Sequence, residues 1–215
     1  MSKIKAIYIT AFLIILVSSC GQLGSLQTAK VLDKNETIVG GAAYGYGIYD
    51  DTAVGGEIGS GVFPHAELLV RRGFGSNLDA GLKFSVAGNI LLDAKYQFFN
   101  KQDSPFAAAI GGGFEFQGSN FSENLVYRAH LPLYFSYHPT EKSALYLTPR
   151  YVYQVVTNDE NTSFYGGSFG YSFRASSRIS LMLEGSYYIP QMVNSNNSSN
   201  LYLLGGGCIL HFSKK

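Results

Sequence analysis

Apolar and polar side chains alternate along residues 179–189. Ile179, Leu181 and Leu183 begin a face that stays apolar to its end, and Glu184 lies in the middle of the opposite face. A repeat of two residues is the repeat of a β-strand, whose successive side chains point to opposite sides. A strand of about ten residues with a single carboxylate on one face and aromatic residues at one end is typical of strands that cross an outer membrane.

The same alternation returns from residue 37 onward in about ten segments that are separated by turn residues. The predicted strands are 37–49, 62–72, 78–86, 90–98, 106–117, 125–137, 144–155, 164–175, 179–189 and 201–212. Strands at this spacing predict an up-and-down barrel, and an even strand count returns the chain to its starting side. The predicted fold class is all-β, a closed antiparallel up-and-down transmembrane β-barrel of about ten strands.

The connections between the predicted strands differ in length on the two sides of the barrel. Those after odd-numbered strands are mostly long and polar, as at 50–60, 157–163 and 192–200, whereas 73–77 and 176–178 are short. Outer-membrane barrels have long extracellular loops and short periplasmic turns. Both ends of the predicted barrel therefore face the periplasm, the side from which we expect a lipid anchor to insert.

One short connection on the outer side, residues 87–89, predicts a register. A three-residue hairpin loop with glycine and asparagine would pair Val86 with Ile90. Lys83 would then lie directly opposite Asp93, as an ion pair between neighbouring strands.

Pro64, Pro132 and Pro149 fall within predicted strands, and Pro190 directly follows one. Proline removes a hydrogen bond from the ladder, and a closed barrel has no free edge to tolerate the loss. We expect Pro64 and Pro190 near strand ends, and a bulge at Pro132 or Pro149.

The charged residues on the polar face are few and of both signs. Charged residues make up 14 % of the chain, against about 25 % in soluble domains. So sparse a set suits a narrow lumen in which ions pair, since a buried charge needs a partner. The apolar face, with aromatics such as Phe98 and Tyr137 at strand ends, is then predicted to face lipid. The predicted lumen charges are Glu67, Arg71, Asp79, Lys83, Asp93, Lys95, Glu115, Arg128, Arg150, Arg174 and Glu184.

The first twenty residues read as a secretory signal. Two lysines precede an apolar run that is too short to span a bilayer as a helix. The ending Val17-Ser18-Ser19-Cys20 resembles the lipobox of bacterial lipoproteins, which implies cleavage before Cys20 and acylation of that cysteine. The alternative is an ordinary signal cleaved near Ser18 or Ser19. The predicted division is a signal peptide at 1–19, a lipidated linker at 20–36 that is either a free tether or packed against the barrel, and the barrel at 37–215.

The last predicted strand resembles the closing strand of outer-membrane barrels, because it ends on Phe212, although residues 213–215 follow it. The chain as a whole resembles small bacterial outer-membrane β-barrel proteins that carry a lipoprotein signal. This resemblance implies location in the outer membrane, contact with its lipid and insertion by the barrel-assembly machinery.

Candidate chemistry is sparse. The four histidines show no metal-ligand spacing, no cofactor motif is present, and a net charge of +1 gives no indication of a nucleic-acid partner. Cys208 falls on the apolar face. Asp50, Asp51 and His65 could meet at the outer rim as a hydrolytic site. A solvated loop beside an interior histidine is the better explanation, because no second pair of an acid and a histidine appears. We therefore expect no enzyme.

Two functions stay open on the sequence. The first is a monomeric structural or interaction protein with a plugged, charge-paired lumen, which could bind a surface ligand through its outer loops. The second is a small channel or transporter for ions or apolar molecules. Ten strands enclose a lumen only slightly wider than one that side chains fill, which favours the first.

Overall fold

The structure is a computed structural model, and it describes residues 22–50, 63–99, 104–117, 125–157, 161–192 and 199–212. Within these ranges the chain forms ten β-strands. No helix in the described ranges has the length and hydropathy needed to cross a bilayer.

The strands follow one another in chain order around the barrel. They are β1 Thr37–Asp50, β2 Phe63–Gly75, β3 Leu78–Ser85, β4 Asn89–Phe99, β5 Phe106–Gln117, β6 Val126–Thr140, β7 Ser143–Val156, β8 Thr162–Arg174, β9 Ile179–Met192 and β10 Ser199–Phe212. Each strand pairs antiparallel with its neighbour in sequence, and β1 pairs with β10 along its whole length, from Thr37 opposite Phe212 to Asp50 opposite Ser199. The predicted closed antiparallel barrel of ten strands is confirmed.

The two faces of the wall have opposite character. On β9, Leu183 is 66 % exposed on the outside, whereas its neighbour Glu184 is 2 % exposed on the inside. Large apolar side chains also cover the outside of the other strands, for example Leu204 and Phe169. A soluble barrel would have the reverse arrangement, so the exterior is built for an apolar surrounding.

The predicted register between β3 and β4 is wrong by two residues. Phe84, rather than Val86, lies opposite Ile90, so that Lys83 faces Leu91 and Asp93 faces Gly81. The turn between this pair is residues 85–89, which is two residues longer than predicted. Within it the N–H of Gly88, at a φ of 81°, donates to the carbonyl of Ser85 at 3.0 Å.

Val86 is held away from β4 by β2. Its N–H donates to the carbonyl of Ala66 at 2.9 Å. Val86 is therefore not available to pair with Ile90. Lys83 and Asp93 still point to the same side of the wall, the lumen.

The bulge expected at Pro132 or Pro149 is absent. The register is the same on both sides of each proline, although the pairing of β6 with β5 and β7 is interrupted beside them. Pro149 pairs with Gly167 in an unbroken ladder, and a Cβ on Gly167 would lie 3.0 Å from the Cα of Pro149. A Cβ on Gly111 of β5 would lie 3.1 Å from Cγ of Pro132. The missing side chains leave room for the rings without an extra residue. As expected, Pro64 and Pro190 lie close to strand ends.

The apolar core lies inside the barrel and is formed in part by residues that precede β1. Leu23 and Leu26 pack in one buried cluster with wall residues such as Tyr44, Tyr188 and Met182. The interior is therefore occupied by the chain's own N-terminal residues. We call residues 22–32 the lumen segment.

Candidate functional site

A turn at residues 33–36 joins the lumen segment to β1 at one end of the barrel. Asn35 has a φ of 66°, a backbone conformation that asparagine tolerates better than most residues. Its N–H donates to the carbonyl of Gly73 at 3.0 Å, and the N–H of Gly73 donates back to Glu36 at 2.9 Å. We call this end, which carries the connections after even-numbered strands, the near mouth, and the opposite end the far mouth.

The lumen segment runs from the near mouth almost to the far mouth. The N–H of Leu32 donates to Asp79, the second residue of β3, at 3.1 Å. At the other end, the N–H of Gln22 donates to Glu115 at 3.2 Å, and its side-chain amide donates to the carbonyl of Asn89 at 3.1 Å. Asn89 begins β4 and so lies at the far mouth. The N-terminal end of the segment therefore lies near the far mouth, and its C-terminal end lies at the near mouth.

Glu184 is the central contact of the segment. Its two carboxylate oxygens accept the main-chain N–H groups of Ser25 and Leu26, each at 2.6 Å. The Tyr146 hydroxyl donates to the same carboxylate at 3.0 Å. Hydrogen bonds to an ionised carboxylate are about twice as strong as neutral ones, so Glu184 is the strongest anchor on the N–H side of the segment.

Arg150 and Tyr188 bind the carbonyl side of the same stretch. Arg150 Nη1 donates to the carbonyls of Leu23 at 3.0 Å and Gln22 at 3.4 Å. The Tyr188 hydroxyl donates to the carbonyl of Leu23 at 2.8 Å. Both groups are buried, so water competes little for these bonds.

Two lysines bind further carbonyls of the segment. Lys83 Nζ donates to Gly24 at 3.1 Å and to Ser25 at 3.2 Å. Lys95 Nζ donates to the carbonyls of residues 28 and 30, at 2.8 and 3.0 Å. The charged side chains of the lumen thus bind peptide groups as well as one another.

Glycines on both partners let the segment approach the wall. A Cβ on Gly24 would overlap the ring of Tyr44, and a Cβ on Gly207 of β10 would lie 2.8 Å from Cδ1 of Leu26. The Tyr44 hydroxyl in turn donates to Glu67 at 3.3 Å. A side chain at position 24 would therefore force the Tyr44 ring to shift, and the wall makes room for a leucine at position 26.

Ion pairs join β2, β3 and β4 beneath the segment. Arg71 contacts both Asp79 and Asp93, and Lys95 lies 3.6 Å from Asp79. Lys83 lies 3.5 Å from Glu67 on β2. Asp93 also accepts a hydrogen bond from the Gln27 side chain at 3.2 Å, so this cluster is continuous with the segment.

A second cluster lies closer to the far mouth. Arg128 Nη1 is 2.7 Å from one oxygen of Glu115, and His130 Nε2 is 2.8 Å from the other. Arg128 also donates to Gln154 at 2.6 Å. Because Glu115 accepts the N–H of Gln22 as well, the end of the segment is tied to this cluster.

Glu184 and Arg150 differ from the other central charges. The ion pairs between described residues include neither of them. Their charges are met by peptide groups of the lumen segment and by neutral side chains. Both are buried, and burial of a charge is costly unless it is well hydrogen-bonded.

The eleven predicted lumen charges all lie on the inner side of the wall. Nine are buried: Glu67, Arg71, Asp79, Lys83, Lys95, Glu115, Arg128, Arg150 and Glu184. Asp93 and Arg174 are half-buried. Arg174 lies at the near mouth, where its side chain donates to the carbonyl of Ser177 at 3.5 Å and lines a pocket together with residues 28 and 30–32. Among the described residues, no hydrogen bond or ion pair joins its side chain to the segment.

Sequence reasoning did not identify the lumen segment as the partner of these charges. It also missed neutral wall groups that bind the segment. Gln97 accepts the N–H of Val31 at 3.0 Å, and Ser136 accepts the N–H of Ala29 at 3.2 Å. Single glutamines and serines on a polar face carry no signal that would single them out.

Of the candidate hydrolytic residues, the structure describes the surroundings of His65. His65 is 1 % exposed, and neither of its ring nitrogens has a hydrogen-bond partner among the described residues. Its ring packs edge-on against Tyr46, with centroids 5.3 Å apart. Asp51 lies outside the described residues, as do Cys20 and the signal peptide. Cys208 is exposed on the outer face.

The fold matches solved bacterial outer-membrane proteins. No protein-family model and no curated protein sequence matches the chain. An outer membrane channel from Pseudomonas putida F1 is 12 % identical with a TM-score of 0.50, and the match covers 88 % of this chain and 100 % of that one. The attachment invasion locus protein Ail of Yersinia pestis is 10 % identical with a TM-score of 0.36, covering 83 % and 99 %. Likeness at this level of identity supports the fold and nothing finer.

Proposed function

We propose that this chain is an outer-membrane β-barrel protein whose lumen is closed by its own N-terminal segment, with a structural or interaction role. The observation that carries the proposal is the lumen segment itself. It lies along most of the lumen and is bound by Glu184, Arg150, Lys83 and Lys95.

The exterior supports membrane insertion. Large apolar side chains cover it, and paired aromatic rings lie toward both mouths. The rings of Phe106 and Tyr137 lie toward the near mouth, with centroids 4.8 Å apart. Those of Tyr151 and Tyr165 lie toward the far mouth, with centroids 5.0 Å apart. Two aromatic girdles that flank an apolar band are the arrangement of outer-membrane barrels.

The bound segment favours a closed lumen over an open pore. Residues such as Gln22, Leu23 and Ser25 are almost fully buried between segment and wall. A filled and hydrogen-bonded lumen offers no continuous water path for ions. A binding role then falls to the connections between strands at the far mouth, most of whose residues lie outside the described ranges.

A lipid anchor on Cys20 belongs to the same proposal. Gln22 is bound near the far mouth, and two further residues reach at most about 7 Å. An acyl group on Cys20 and a filled lumen are therefore compatible only when the lipid lies at the far mouth. With the long connections outside, that mouth is the cell surface, and not the periplasmic side expected from the sequence.

The second candidate function is a small channel. It is favoured by the polar inner wall, which would line a water-filled pore if the segment left. The partners in either case are outer-membrane lipid and the barrel-assembly machinery, and we expect a monomer.

Planar-bilayer conductance of the purified full-length protein separates the two functions. A closed lumen predicts no steady open steps, whereas sustained steps in the unaltered protein would favour the channel. Fractionation of the producing cell, with the protein in the outer membrane as the expected result, tests the location independently.

A further inference from the structure

The wall of the lumen binds the main chain of the segment far more than its side chains. Wall side chains accept the N–H groups of six segment residues and donate to the carbonyls of six. Among the hydrogen bonds between described residues, three with the wall use segment side chains, those of Gln22, Ser25 and Gln27. Because every polypeptide carries the same N–H and C=O groups, most of this recognition does not depend on sequence.

The segment is not part of the barrel's own ladder. Among the described residues, no main-chain to main-chain hydrogen bond joins residues 22–32 to a strand. Such bonds begin only in the turn, at Asn35 and Glu36. The ten strands therefore keep all their mutual bonds if the segment leaves.

Without the segment, two buried charges of the lumen would lose hydrogen-bond partners. Glu184 would lose both main-chain donors, and Arg150 would lose both carbonyl acceptors. The described ion pairs supply neither residue with a substitute of opposite charge. The wall thus favours an occupant that offers N–H and C=O groups at neighbouring positions, as an extended peptide does.

Four side-chain positions of the segment, residues 23–26, restrict which sequences fit the lumen. Leu23 and Leu26 fill the apolar cluster against the wall, and Gly24 lies against the Tyr44 ring where no Cβ fits. The Ser25 hydroxyl makes a long contact of 3.5 Å with the Thr148 hydroxyl. The pattern that fits is leucine, glycine, any small residue and leucine.

We infer that the lumen is a binding site for an extended polypeptide strand of this pattern, which residues 22–32 occupy in cis and which a strand of a second polypeptide can occupy in their place. The ligand class is an unstructured peptide that is recognised through its main chain. This site stands whether or not the barrel conducts and whether or not Cys20 is acylated.

The test uses the full chain with a protease site inserted in the exposed turn, after Lys34. The protein is folded in detergent and cleaved, and release of the N-terminal fragment is followed by mass spectrometry at a temperature where circular dichroism shows an intact barrel. We expect release, followed by binding of a fluorescent peptide with the sequence of residues 21–34, measured by anisotropy. Retention of the cut fragment in an intact barrel would overturn the inference.

Three peptides separate main-chain from side-chain recognition. A peptide scrambled everywhere except positions 23–26 is expected to bind within a few-fold of the native sequence. A peptide with N-methyl groups at the positions of Ser25 and Leu26 keeps every side chain but loses both bonds to Glu184. We expect it to bind about a hundredfold more weakly, since each hydrogen bond to a charged group contributes about tenfold or more. Binding of the native sequence alone, or equal binding of the methylated peptide, would overturn the inference.

Matched protein variants complete the test. Glu184→Gln is expected to weaken the native peptide but to leave the methylated peptide unchanged. Arg174→Gln, which removes an inner-wall charge that makes no described hydrogen bond or ion pair with the segment, is expected to change neither. The uncleaved protein should bind no added peptide, because its tethered segment competes at a high effective concentration.

Discussion

Replacement of Glu184 by Gln is the most informative single change, because it keeps the volume of the side chain and removes its charge. The carboxylate accepts two main-chain N–H groups at 2.6 Å. A carboxamide keeps one acceptor and turns the other into a donor that faces an N–H group. One charge-assisted bond is lost outright and the other becomes a neutral one.

The size of the effect follows from these bonds. A hydrogen bond to a charged group contributes about 1.5–3 kcal/mol, and a neutral one about 1 kcal/mol. The loss in binding free energy of the lumen segment is then about 2–5 kcal/mol, which raises the population with the segment outside the lumen about 30-fold to about 5,000-fold.

Native-state hydrogen exchange of the Ser25 and Leu26 amides measures this population. Exchange of both amides is expected to accelerate by that factor in Glu184→Gln, while the amides of the strands change much less, because the ladder is independent of the segment. Arg174→Gln serves as the control. Equal protection of the two amides in both variants would refute the assignment of Glu184 as the anchor.

Three further changes test other parts of the structure. Gly24→Val would overlap the Tyr44 ring and is expected to expel the segment and open steps in planar bilayers, whereas Thr28→Val should leave the lumen closed. Arg71→Ala removes the partner of Asp79 and Asp93 and is expected to lower the free energy of unfolding in lipid by about 3–5 kcal/mol. The control Arg72→Ala, at an outward-facing position, is expected to be nearly neutral. Equal losses for the two variants would contradict the ion-pair role of Arg71. Leu183→Arg places a charge on the outer face of β9 and is expected to lower the free energy of unfolding in lipid vesicles by about 2–4 kcal/mol. The control Phe212→Arg, at a strand end, is expected to lower it by about 0–1 kcal/mol. Similar losses for the two variants in denaturant titrations would argue against a membrane-embedded exterior.

The strands were predictable because alternation is a local property of the chain. Leu183 outside and Glu184 inside follow directly from a repeat of two residues. The register of β3 against β4 was not predictable to the residue, because it depends on where Val86 donates its N–H. That donation goes to Ala66, a residue of another strand whose proximity the sequence does not encode locally.

The constant register beside Pro132 and Pro149 depends on a long-range pairing. Gly111 and Gly167 accommodate the prolines only because the strands bring them face to face. The proline rule applied to single strands therefore predicted a bulge that the pair does not need.

The lumen segment was the least predictable part of the site. Residues 22–32 have no repeat, and most of their polar contacts use main-chain atoms that every sequence shares. The apolar spacing of Leu23 and Leu26 around Gly24 was the one local indication of a packed role. The wall offered a better indication, since a lone glutamate and a lone arginine in a narrow lumen require partners from somewhere.

A disulfide between the segment and the wall is the most direct test that the N-terminal segment fills the lumen. Ser25 and Thr148 have their side-chain oxygens 3.5 Å apart, which is compatible with a disulfide after substitution. In a Cys208→Ser background, Ser25→Cys with Thr148→Cys is expected to form the 25–148 cross-link on mild oxidation, detected by mass spectrometry of the digested protein. Ser25→Cys with Leu147→Cys, whose side chain points outward, is expected to form none. Failure of the first pair to cross-link in a folded barrel, or equal cross-linking of both pairs, would contradict the account.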